Sequence, residues 1–209
     1  MDGEDKKTRE HLLESARQEF TAKGYLKASL RKICADAGVT TGALYFFFKD
    51  KEDLFAAIVE PPLLELKQLL YEHFSMENEL NPEAYIHSDG DHDEFAAVLI
   101  RHLYANRQEF LLLLTKAQGT RFENVVDELV ETIEKRYFMV AEKLAGVLPG
   151  KRINRYMLHW LSHMAVDAFS HLLTHEKDVE KAITVTGRFM DFIVSGWMKL
   201  TLEDVETGK

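Results

Sequence analysis

Apolar residues recur with helical spacing along most of the chain. Leu12, Leu13, Ala16 and Phe20 share one face of a segment that should begin near Thr8 and stop at Lys23-Gly24. Residues 1–7 are charged and read as a solvated tail, with Lys6, Lys7 and Arg9 within reach of a phosphate as the alternative. Leu30, Ile33, Cys34 and Ala37 form a second, shorter apolar stripe with Ser29 as its N-cap. Gly38 follows, where a tight turn needs positive φ, and Val39 fills the angle. Thr40 then caps a third segment whose Ala43, Leu44 and Phe47 or Phe48 return to the core. Two short helices joined this way form a helix-turn-helix. The second has the length and small leading residues that suit a DNA major groove. A generic three-helix packing unit is the structural alternative. The turn spacing and the cations flanking the turn weigh against it.

The pattern continues beyond this element. Asp50 reads as an N-cap, with Glu52 and Asp53 in the first turn and Leu54, Phe55, Ile58 and Val59 on the apolar face. Pro61-Pro62 predicts a kink or break, with Pro62 near the start of a new segment running to about residue 75. Residues 76–92 are polar and read mainly as a loop. Helices are expected at 93–105, 107–117, 121–146, 152–175 and 178–200. No stretch keeps a period of two for long and no repeat is visible, so the fold class is all-α.

Composition narrows the class. The 209 residues are 46% hydrophobic, ample for a core, and no apolar run approaches a membrane span. The opening Met-Asp-Gly-Glu-Asp-Lys-Lys lacks an apolar stretch, so no signal peptide is expected and the predicted location is cytoplasmic. Cys34, the one cysteine, reads as core packing. The net charge of −9 argues against nonspecific coating of nucleic acid. Its distribution points the other way for one region: residues 23–51 hold six basic and two acidic side chains. A locally basic head before an acidic body discourages DNA from docking on the wrong surface.

Three other chemistries leave partial traces in the sequence. Asp89, Asp91 and Asp93 alternate like the start of a calcium loop, but the expected glycine is missing and Ile100 stands where a bidentate Glu belongs; helix capping is preferred. His159, His163, Asp167, His171 and His175 recur every four residues, drifting about 40° per step, so at most one pair plus a ligand such as His102 shares a site. No metal and no cofactor is predicted. No nucleophile–base pair, glycine-rich phosphate loop or cysteine cluster supports catalysis, so the chain does not read as an enzyme.

Gly24-Tyr25, Ser29, Ile33, Ala37-Gly38-Val39-Thr40, Gly42, Leu44-Tyr45, Phe48, Lys51 and Leu54-Phe55 together resemble the N-terminal signature of TetR-type transcriptional regulators. The resemblance covers about residues 8–56. It implies a DNA-binding head, residues 1–56, and a helical ligand-binding and dimerisation body, residues 57–209. It further implies a homodimer, a double-stranded DNA operator with palindromic symmetry, an unknown small-molecule effector and no membrane partner. The implied function is a ligand-responsive repressor; the alternatives are a metal-responsive regulator and a dimeric interaction protein with a vestigial head. The implied DNA contacts are Ser29, Arg31, Thr40, Thr41, Gly42, Tyr45, Phe46, Lys49 and Lys51. Tyr45 and Lys51 match phosphate contacts; Thr40, Thr41 and Phe46 are the expected base readers. Phe47 departs from the usual phosphate-donating His or Tyr. It either packs or extends an apolar face. Pocket candidates are His102, Phe110, Phe122, Tyr137, Trp160, His163 and Met164, with Phe169 beside them; the core is the alternative for each. Leu161, Ala165, Ala168, Leu172, Phe189, Phe192, Ile193 and Trp197 are assigned to a four-helix dimer seam.

Overall fold

A computed structural model describes residues 3–78 and 92–205, with the side chains of 76–78, 92 and 93 outside the description. The described elements are α1 (Gly3–Lys27), α2 (Leu30–Asp36), α3 (Thr41–Phe47), α4 (Lys51–Asn78), α5 (His92–Ala105), α6 (Arg107–Lys116), α7 (Val125–Val147), β1 (Lys151–Ile153), α8 (Arg155–His175), α9 (Val179–Thr201) and β2 (Leu202–Asp204). Helix dominates, as the apolar spacing predicts.

The chain divides into two compact units. The first holds residues 1–65 and 106–125, the second residues 66–105 and 126–209. The division therefore falls inside α4, and α6 with the turn after it joins the head, whereas the sequence reading placed them in the body.

In the first unit, Leu12, Ala16 and Phe20 of α1 are buried with Ile33, Leu44, Leu54 and Phe55. Phe55 is the centre of an aromatic group. Its ring lies 5.1 Å from Phe20, 5.5 Å from Tyr25 and 6.2 Å from Phe122, the first two edge-on. The Ser15 hydroxyl donates to the Ile33 carbonyl at 2.9 Å, which ties α1 to α2 inside the core. Arg17 on α1 pairs with Glu109 on α6 at 2.9 Å.

Several expected boundaries shift. The first helix begins at Gly3, five residues before the predicted start. Glu4 and Asp5 fill its first turn, and Thr8, expected as its opening residue, donates to the Glu4 carbonyl from within the helix. Gly24 leaves helical geometry at φ 72°, so the regular helix stops where the sequence predicts. The expected break at Pro61-Pro62 does not occur: both prolines lie inside α4. Each removes one ladder bond, yet Pro62 and the flanking Val59, Leu63 and Leu66 are buried, and that packing holds the helix together. Helix α7 starts at Val125, after a turn in which Ala117, Gly119, Thr120 and Phe122 bond locally. The Thr120 hydroxyl donates to the Ala117 carbonyl and accepts from Phe122 N–H, while Glu123 accepts from Gly119 N–H.

In the second unit, α9 packs on α5 and on α8. Val140, Ala141, Leu144, Leu158, Leu161, Ile193, Trp197 and Leu202 form its core cluster. A two-stranded antiparallel ribbon, absent from the sequence reading, pairs Lys151 with Asp204, Arg152 with Glu203 and Ile153 with Leu202. Three residues per strand are too few to give a period-two signal.

Candidate nucleic-acid interface

Helices α2 and α3 are placed by their caps. Ser29 Oγ accepts from Lys32 N–H at 3.4 Å, and Ser29 N–H donates to Glu19 on α1 at 3.2 Å. Gly38 adopts φ 70°, a conformation that side chains resist, and Val39 N–H reaches the Cys34 carbonyl at 2.9 Å to complete the turn. Thr40 Oγ1 then accepts from Ala43 N–H at 3.2 Å and starts α3. Asp50 caps α4 through Asp53 N–H at 2.8 Å, while Asp53 accepts from Lys49 N–H at 2.9 Å.

Helix α3 has two sharply different faces. Leu44 is fully buried and Phe48, its C-cap, nearly so. On the outside Thr40, Thr41 and Gly42 are exposed, Tyr45 is 56% exposed and Phe46 73%. Two large aromatics held in water on a seven-residue helix are costly unless something covers them. Phe46 is braced edge-on by Phe47, 5.0 Å away, and Phe47 is half-buried against Phe48. The three-phenylalanine run thus steps from solvent to core. Arg9 of α1, for which the sequence offered a phosphate contact or a solvated tail, lies over the nearly buried Phe48 ring at 5.4 Å.

The other cations differ in freedom. Arg31 and Lys49 are exposed. Lys32 is paired with Asp36 one turn on. Lys51 is half-buried: its Nζ donates to the Ala28 carbonyl at 2.9 Å and the Leu26 carbonyl at 3.3 Å, and lies 4.7 Å from the centre of the Tyr25 ring. Burial pushes the Lys51 ammonium below its usual pKa, opposed by Glu19. Burial also raises the Tyr25 hydroxyl, helped by Glu52 and Asp50. Lys51 therefore closes the α1–α2 connection with two of its three N–H groups. Sequence reasoning missed this latch; the Gly24-Tyr25 spacing was its visible trace.

A family model for bacterial regulatory proteins of the tetR family matches residues 12–58, spanning this whole arrangement. Residues 12–58 therefore carry a TetR-type DNA-binding head. The transcriptional regulator AcrR of Shigella flexneri is 47% identical over 57 residues, 27% of this chain and 26% of that protein. The transcriptional repressor BepR of Brucella suis is 46% identical over 52 residues, a quarter of each chain. The match thus spans about a quarter of the length of these relatives and falls on the TetR-type head. Solved structures extend the likeness in fold. A regulator of the TerR/AcrR family from Aquifex aeolicus superposes with a TM-score of 0.60 at 22% identity, over 89% of this chain and 99% of that one. NalD of Pseudomonas aeruginosa, the secondary repressor of the MexAB-OprM multidrug efflux pump, gives 0.56 at 20%, over 96% and 99%.

Beyond the TetR-type head, the sequence-assigned groups separate. Of the pocket candidates, Phe110 and Phe122 are core residues of the first unit, and Phe122 packs on Phe55. His102, Tyr137, His163 and Met164 belong to the second unit and are half-buried, as is Phe169, while Trp160 is 48% exposed. The seven are thus divided between the two units. The residues assigned to the seam differ in burial within the single chain. Leu161, Ala165, Ile193 and Trp197 are buried within their own chain, because α8 and α9 pack their strongest apolar faces on α5, α7 and each other. Ala168, Leu172 and Phe189 are half-buried, and Phe192 is 62% exposed. Among the described residues no group of three metal-ligating side chains converges. Asp89, Asp91 and the side chain of Asp93 lie outside the described residues. No described helix is long and apolar enough to cross a membrane.

Proposed function

We propose that this protein is a ligand-responsive transcriptional repressor that binds a palindromic DNA operator as a homodimer in the cytoplasm and is released by a small molecule. The observation that carries the reading is the outer face of α3, with Thr40, Thr41, Gly42, Tyr45 and Phe46 in solvent on a helix capped at both ends. Thr40, Thr41 and Phe46 read bases, chiefly through thymine methyl groups. Ser29, Arg31, Tyr45 and Lys49 contact the phosphate backbone, and Lys51 uses its remaining N–H there. The proposed organisation is a DNA-binding domain at 1–56 and a ligand-binding and dimerisation domain at 57–209. The second copy docks on the outer faces of α8 and α9, where Phe192 and Trp160 stand exposed. Helix α4 supplies residues to both units and is the path by which effector binding changes head spacing. The reading assigns no catalytic step.

Gel-shift titration on DNA upstream of the protein's own gene, repeated across salt, tests this. A specific complex should appear whose affinity falls with salt at a slope of about −0.9 per phosphate contacted. Absence of any sequence-specific, salt-sensitive complex would defeat the reading.

A further inference from the structure

We infer that His159 and His163 form a divalent transition-metal site on the outer face of α8, with Glu134 of α7 as the group that orients it. The inference is independent of DNA binding. The two histidines are four residues apart on one helix, so their side chains lie one turn apart on neighbouring strips of surface. Their ring centres are 4.7 Å apart. A metal at the usual distance of about 2.0–2.1 Å from an imidazole nitrogen sits roughly 3.2 Å from each ring centre. Two such rings at a tetrahedral or right angle lie about 4.5–5.2 Å apart. The observed spacing falls inside that window without a backbone change.

The tautomer is fixed as well. His159 Nδ1 is 2.8 Å from Glu134 Oε2. The carboxylate only accepts, so Nδ1 carries the proton. In the neutral ring this leaves the lone pair on Nε2. A carboxylate holding the far nitrogen of a ligating imidazole is the common outer-shell arrangement of metal-bound histidine. Both rings reach solvent, so the metal has an entry path and water completes its coordination. A second pair, His171 and His175, has similar ring spacing at 4.5 Å, but among the described residues neither ring has a carboxylate partner. The oriented pair is therefore the tighter one. The ligand class is an imidazole-seeking divalent ion such as Zn2+, Ni2+ or Cu2+ rather than Mg2+ or Ca2+.

The test is Zn2+ calorimetry on tag-free, chelator-stripped full-length protein. One site per chain should be lost, or weakened at least tenfold, in both His159→Ala and His163→Ala, with helix content unchanged by circular dichroism. Glu134→Ala should weaken the site about tenfold while keeping its stoichiometry, and Glu134→Gln should recover part of the loss. His171→Ala should leave it intact. Absence of Zn2+ binding to the wild type, unchanged binding in both single-histidine variants, or loss that follows His171→Ala would each overturn the assignment.

Discussion

The exposed aromatic face of the first unit stands on a seven-residue helix and that of the second on helices of 21 and 23 residues, and the shorter element is the better specified. Each end of α3 is fixed by a named bond, its inner face is a single leucine flanked by Phe48, and its outer face is what remains. Helices α8 and α9 carry apolar residues on several sides, and packing against different neighbours decides which are hidden. A short helix between caps has few ways to turn. A long amphipathic helix has several, and its partners choose among them.

The largest effect should come from the aromatic centre of the first unit. Phe55→Ala removes a fully buried ring in contact with Phe20, Tyr25 and Phe122, and should cost about 3–5 kcal/mol in chemical denaturation. Operator affinity should fall with it. If stability barely changes, the head does not rest on this cluster. Next is Gly119→Ala. Its φ of +81° strains any side chain, and a Cβ there would stand 2.5 Å from Leu26 Cδ2. The expected loss is about 1–2 kcal/mol, softened if the exposed Leu26 side chain rotates away. Thr40→Ala should cost about 1 kcal/mol through the lost cap, and Thr40→Ser should restore most of it in the same melt. The smallest change in folding stability, within about 0.5 kcal/mol, is expected for Phe46→Ala and Phe192→Ser, both on exposed faces. Their readouts differ: Phe46→Ala should abolish specific DNA binding while the dimer persists, and Phe192→Ser should shift sedimentation toward monomer. A Phe192→Ser protein that stays fully dimeric would move the interface off this part of α9.

Much of the head was legible because its signals are local. The side-chain caps of Ser29, Thr40 and Asp50 and the turn at Gly38 each act within about four positions, so sequence spacing and structural role coincide. Long-range features were not. Nothing within residues 106–125 says that Glu109 will meet Arg17, or that Arg121 will reach Glu60 and take its N–H to Glu52. The two prolines suggested a kink or a break, and the chain stays helical through them: their local cost is visible in the sequence and the burial that offsets it is not. Phe192 and Ile193 looked equivalent as neighbours on one apolar helix; one is exposed and the other is core, a distinction set by about 100° of rotation.

The small ribbon has a consequence in polymer terms. Pairing β1 with β2 closes a loop of roughly fifty residues that contains all of α8 and α9. Asn154 fastens the closure. Its side-chain oxygen caps α8 at Met157, its amide nitrogen donates to Glu203, and its backbone N–H reaches the last carbonyl of α9 at Thr201. The start of one helix and the end of the other share a single knot of bonds. Neither end can fray alone, and the amides of Met157 and Asn154 should exchange with solvent together, at a rate set by the opening of the whole hairpin.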